Sequence, residues 1–300
     1  MSSAPDALAA PLPPAEAAAR TRGAFAALLR DPMGAAGLAL VVLFALMALL
    51  APWVAPQDPL RLDVANRFAP PSWAHWAGTD HLGRDLLSRI VWGARVALGI
   101  ALTATGIAAA LGLLLGLVAG YGPRWLDAIL VLLLDSVNSL PMIMLALAVI
   151  TVAGPGIPTL ILVIVAISVP GYARLIRAQT LALRSADFVE AERAMGASGL
   201  RIVGLHLLPN VVGPLVILVS MDIPVVIMLE AGLSYLGFGV KPPTPSWGNI
   251  LYDGFTSLRS APGMVIAAGV PLVLCTLGFT FLGEALRDAL DPRLRAGLRR

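Results

Sequence analysis

Charge is scarce in this chain. Only 13% of its 300 residues are Asp, Glu, Lys or Arg, against ~25% in an ordinary soluble domain. Cysteine is nearly absent: Cys275 stands alone, which excludes an intramolecular disulfide and any cysteine-built metal centre. Lysine is represented by Lys241 only, and no G-x-x-x-x-G-K-[ST] segment occurs, so the chain carries no Walker-type nucleotide site. The histidines, His75, His81 and His206, have no carboxylates at ligand spacing, which argues against a metal. Aromatics are 6%, and no alternating segments of ~10 residues appear, which excludes a β-barrel. The net charge of +3 is almost wholly arginine. No basic run is interleaved with aromatics, so no nucleic-acid partner is expected.

What remains is aliphatic. Hydrophobic residues make up 58% of the chain, with a mean hydropathy of +0.85. A membrane helix needs about 20 mostly apolar residues, and six candidates appear. They run from about Gly34 to Ala55, Val96 to Ala119, Leu126 to Val149, Ile157 to Tyr172, Val211 to Leu233 and Gly263 to Leu286. The fold expected is all-α, a polytopic membrane protein with six transmembrane helices.

With six spans both termini share a side. That side receives Arg20, Arg22, Arg30, Arg124, Arg174, Arg177, Arg184, Arg193, Arg201, Arg287, Arg293, Arg295, Arg299 and Arg300. The other receives Arg61, Arg67, Arg84, Arg89, Arg95, Arg259 and Lys241. Positive charge collects on the cytoplasmic side, so both termini are expected there. The organisation follows: a tail at 1–33, the first span with an external loop and amphipathic segment at 34–95, a core at 96–286, and a second tail at 287–300. The first tail is Ala/Pro-rich, and the apolar run after it starts too late and runs too long for a cleavable signal.

The loop at 173–210 then faces the cytoplasm and is too long for a simple connector. Within FVEAERAMGASGLRIVGLHLLPN, at 188–210, Asp187 and Glu190 read as an N-cap and its capping partner. Gly196 can end the short helix, and Pro209 suits the first turn of the next.

The same stretch resembles the EAA loop of ABC-importer permeases: E-A-A, three residues, Gly, nine residues, then an aliphatic, any residue and Leu-Pro. It reads Glu190-Ala191-Glu192, Gly196, then His206-Leu207-Leu208-Pro209. Glu192 replaces the second alanine and His206 the aliphatic. PPSWAHWAGTDHLGRDLLSRIVWGARVALGI from Pro70, LEAGLSYLGFGVKPPTPSWGNIL from Leu229 and LGEALRDALDPRLR from Leu282 are similar to segments of the peptide/nickel permease group. The short first external loop resembles its C-type second permease subunit.

The resemblance implies the type I ABC-importer permease fold in a bacterial inner membrane, and a transport role rather than an enzymatic one. It implies a homologous B-type permease as partner, two ABC ATPase subunits and an extracytoplasmic substrate-binding protein. No cofactor is expected in this chain; ATP and Mg belong to the ATPases. Glu190 and Gly196 match the contact and turn positions of the ATPase-coupling loop. Helical spacing adds Ala191, Ala194 and Met195 as an apolar docking face, with Arg193 among them. The cargo implied is a dipeptide or oligopeptide, the alternative being nickel or glutathione.

Polar groups inside spans are costly and usually functional. Asp135, Asn138 and Ser139 share a face just before Pro141, and read either as pathway lining or as interhelical hydrogen bonding. Asp222 lies mid-span, with Met221 and Met228 as adaptable lining. Glu230 is expected to pair with Arg84 or Arg89. Arg84, Asp85 and Arg89 lie opposite a stripe of Leu86, Ile90 and Val91, as in a helix lying in the membrane plane. Trp247, in proline-rich KPPTPSWGN, reads as an interface anchor or part of a re-entrant loop. A secondary transporter would need coupling groups and internal repeats, which are not evident. An intramembrane hydrolase would need a paired nucleophile and base, and Asp135 and Asp222 do not supply one.

Overall fold

The computed structural model describes residue 29 and residues 31–290. Most of the expected N-terminal tail, with its arginines, and most of the C-terminal tail therefore lie outside the described residues. Those described are helical without a strand; one isolated bridge joins Thr79 and Asp85.

Helix α1 (Pro32–Leu49) starts where Asp31 caps it through the Gly34 amide, and the short α2 (Ala51–Val54) continues it. An irregular segment follows, with a 3-10 turn at Val64–Asn66. The other long helices are α3 (Leu86–Tyr121), α6 (Ile157–Leu183), α9 (Leu208–Tyr235) and α11 (Gly263–Leu290). Helices α4 (Arg124–Asn138) and α5 (Met142–Ala153) form a pair bent by 89°. Shorter elements are α7 (Asp187–Ala194), α8 (Gly199–Ile202), a π-turn at Val203–Leu207 and α10 (Trp247–Thr256). Five helices are long and apolar enough to span, or six if the bent pair is one span.

The expected spans are all present, with two revisions. The third is broken rather than straight. Pro141 has no amide to donate, and the residue before a proline is pushed out of the α region, so the helix stops and restarts at Met142. The second begins ten residues early, because the stretch expected to lie in the membrane plane is its first turns. Neither face of that stretch meets the surface: Arg84, Asp85 and Arg89 are buried, at 4%, 2% and 2% exposure, and so are Leu86, Ile90 and Val91 opposite them. Asp85 caps this helix, accepting from the Ser88 amide at 2.8 Å. The arginines find a carboxylate inside instead of water.

Packing centres on α3. Built at Gly112, Gly116 or Gly120, a Cβ would come 2.4–2.6 Å from Tyr172 Cβ, Ala173 O and Thr180 Cβ of α6. Glycine every fourth residue forms a stripe that lets two membrane helices touch backbone to backbone. The spacing is plain in GLLLGLVAG, where small residues and not polar ones carry the signal. At the far end Trp247 is 0% exposed. Its Nε1 donates to Ile90 O at 3.0 Å, and Phe44 meets its ring edge-on at 5.9 Å. It is therefore a core residue and not an interface anchor, and Gly93 leaves room for its ring.

Candidate functional site

Helix α6 runs unbroken into the loop between the fourth and fifth spans, eleven residues beyond Tyr172. At its end α7 begins with Ala186 in an extended conformation, so Asp187 is the first helical residue and not the cap. No side chain caps this terminus. Asp187 and Glu190 favour it through the positive end of the helix dipole, rather than through the expected capping hydrogen bonds. The other terminus fits the expectation. Gly196 has φ +82, and the Gly196 and Ala197 amides donate to Arg193 O and Glu192 O, both at 3.0 Å. This is a Schellman ending, which needs a left-handed residue after the cap.

The helix has two faces. Val189 is fully buried and Phe188 half-buried. Glu190, Ala191, Arg193, Ala194, Met195 and Gly196 are all exposed. Met195 is 74% exposed and Leu200, just beyond, 87%. Arg193 lies over the Tyr121 ring at 5.4 Å, and Arg184 Nη1 donates to Gly120 O at 2.9 Å, so the unit is anchored to the end of α3.

The two departures from the permease pattern meet. Glu192 Oε1 is 3.3 Å from His206 Nε2, and Phe188 flanks the imidazole at 6.3 Å. The π-turn that carries His206 leads into α9, whose first turn holds Pro209 as expected.

Deeper in the bundle, the polar cluster of the third span separates. Asp135 pairs with Arg174 Nη2 at 2.9 Å, both groups more than half exposed. Asp127 receives Arg177 through two nitrogens, at 2.5 and 2.8 Å. Asn138 and Ser139 are exposed at the bend, and the Ser139 hydroxyl donates to Ser136 O. In α9, Met221 and Met228 are 37% and 53% exposed, and Asp222 is half-buried beside Tyr172. The Tyr172 hydroxyl makes no hydrogen bond of good geometry among the described residues.

Glu230 does not meet an arginine. It is fully buried, and its Oε1 accepts from Ser234 and Ser246 at 2.7 and 2.8 Å. Arg84 and Arg89 instead converge on Asp80, at 2.6 and 3.4 Å. Asp80, His81 and Asp253 could group their ligand atoms within 4.8 Å. Two guanidiniums already neutralise that group, so it does not suit a metal.

Residues 112–296 match the model of the binding-protein-dependent transport system inner membrane component. Residues 20–71 match the N-terminal TM domain of oligopeptide transport permease C. The chain is 36% identical over 275 residues to the dipeptide transport system permease protein DppC of Alkalihalophilus pseudofirmus, covering 92% of this chain and 90% of that one. It is 38% identical over 265 residues to the di/tripeptide transport system permease protein DppC of Pseudomonas aeruginosa, covering 86% and 88%. It is 39% identical over 267 residues to the glutathione transport system permease protein GsiD of Escherichia coli, covering 89% and 88%. Its fold is similar to a chain of the inward-facing MetNI methionine ABC transporter, with a TM-score of 0.55, 20% identity, and coverage of 68% of this chain and 97% of that one.

Proposed function

Because the chain belongs to the binding-protein-dependent transport system inner membrane components, we propose that it carries di- or oligopeptides and takes its drive from ATPase subunits at α7. The exposed surface at α7 supports this reading: a short charged helix shortly after α6, with apolar Met195 at its end and Leu200 just beyond. A rigid coupling element of this kind passes a partner's motion into the bundle by favouring one of two arrangements. Glu190, Ala191, Arg193, Ala194, Met195 and Gly196 form that contact. The named relatives support peptide cargo; glutathione, also named among them, is the second reading. A homologous permease and an external binding protein complete the assembly, with the termini cytoplasmic.

Affinity purification in detergent tests the assembly. Two ATPases and a second permease should co-purify. Transport by this chain alone, driven by a proton or sodium gradient, would refute it. Cargo is decided by affinities of the cognate binding protein for dipeptides, oligopeptides and glutathione.

The pathway proposed includes Asp135, Asn138, Ser139, Met221, Asp222 and Met228. Asp222→Leu should change uptake rate or substrate range while ATPase co-purification stays at the parental level. An unchanged transport profile would make Asp222 a structural partner of Tyr172 only.

Glu192 and His206 act as a staple between α7 and the entry to α9. Glu192→Ala and His206→Leu, which restore the family residue types one at a time, should each lower thermal stability and uptake. The double variant should recover most of the loss, with a coupling of about 0.5–1 kcal/mol for a partly exposed pair. Strictly additive losses would mean that the pair is uncoupled.

A further inference from the structure

At the end of the bundle away from α7, a cavity of about 360 Å³ opens between the start of α3 and the end of α9. Its walls include Arg84, Arg89, Lys241 and Asp253, and its apolar lining includes Leu236 and Tyr252. Arg89 is only 2% exposed, yet its guanidinium is not satisfied. Its Nε lies 3.4 Å from Asp80 Oδ2 without hydrogen-bond geometry, and its Nη1 has no partner among the described residues. Asp80 is already taken by Arg84, whose Nε donates to it at 2.6 Å. Burial also pushes the Asp253 carboxyl above its ordinary range, against the pull of His81, Arg89 and Arg84, which weakens the acid facing the cavity.

A buried guanidinium with donors left over is costly unless an acceptor reaches it. Arg89 is part of the cavity wall, so an anion in the cavity comes beside that guanidinium. We propose that the cavity binds the phosphate of an anionic phospholipid headgroup, with Arg89 and Lys241 holding the phosphate and acyl chains passing over Leu236 and Tyr252. Three features favour a lipid over a free anion. The cavity lies between the ends of two membrane-spanning helices, within reach of phospholipid headgroups. Leu236 and Tyr252 are 56% and 51% exposed at it. Tyr252 and the equally outlying Phe255 stack edge-on with Tyr235, at 5.9 and 6.3 Å, in the manner of a membrane-interface aromatic belt.

The test uses the full chain purified in detergent and titrated with phosphatidylglycerol, phosphatidylcholine or inorganic phosphate. Melting temperature and retained lipid by native mass spectrometry are read together. Phosphatidylglycerol should raise the melting temperature by ~3–6 °C, and the other two should not. Lys241→Gln, at an exposed position that leaves the fold alone, should weaken retention about fivefold. Arg89→Gln should weaken it further, and Arg89→Lys should restore part of it. An equal response to phosphatidylcholine would overturn the proposal, as would full reproduction of the shift by inorganic phosphate. So would Lys241→Gln that keeps lipid retention but loses the second permease on co-purification, since the cavity would then belong to a protein interface.

Discussion

Gly112→Leu should leave the chain several-fold depleted in the membrane and, where it inserts, with its melting temperature sharply lowered. A Cβ at this position would stand 2.4 Å from Tyr172 Cβ and 3.1 Å from the Ala173 amide. The first neighbour is a side-chain root and the second backbone, so neither can swing aside. The helices must part, and with them the contacts at Gly116 and Gly120. Overpacking of this sort costs about 1–3 kcal/mol per site, enough to change abundance several-fold. Gly99, on the same helix, has nothing within 4 Å of its Cβ position. Gly99→Leu is the matched control, since it makes the same change in composition and helix propensity. Abundance by immunoblot and melting of the solubilised protein measure both. If Gly112→Leu behaves like Gly99→Leu, the close approach of α3 and α6 is not a requirement of the fold.

Gly196→Val should abolish uptake while the chain remains inserted at the parental level. At φ +82 a β-branched residue is a genuine outlier, and the left-handed conformation costs roughly 1–2 kcal/mol for a residue with a Cβ. The Schellman ending would open, and the exposed face of α7 would lose its fixed direction relative to α6. Gly196→Asn separates two causes. Asparagine tolerates the left-handed region, so backbone geometry is kept. The space beyond Gly196 is open within this chain, with no atom within 4 Å of a Cβ built there. If Asn restores uptake, conformation is what matters. If Asn fails as well, a partner surface fills that space. Parental uptake by the Val variant would sink the coupling role altogether.

The spans were legible because period and length are properties of single segments. So were Gly196 as a helix end and Pro209 as a helix start, since each follows from backbone chemistry at one residue. The losses share another cause. Arg84, Arg89 and Trp247 have side chains that in isolation belong at a membrane surface, and only their partners, Asp80 and Ile90 O, explain their burial. Those partners lie up to 157 residues away. Asp187 failed by one position, because the choice between cap and first helical residue rests on the backbone of Ala186. The meaning of Glu192 and His206 also depended on proximity. Each looks like a defect of the pattern when read alone, and together they are a contact.

Helix α6 has 27 residues and, at 1.5 Å per residue, is about 40 Å long. The three glycines of α3 grip it over its second half, from Tyr172 to Thr180. Pro170 stands just before the gripped stretch, where an interior proline lets a helix bend. A tilt of about 5° over the free arm from Ile157 to Tyr172, about 22 Å, displaces its far tip by ~2 Å. The gripped half of α6 cannot slide independently of α3, so those two segments must turn together.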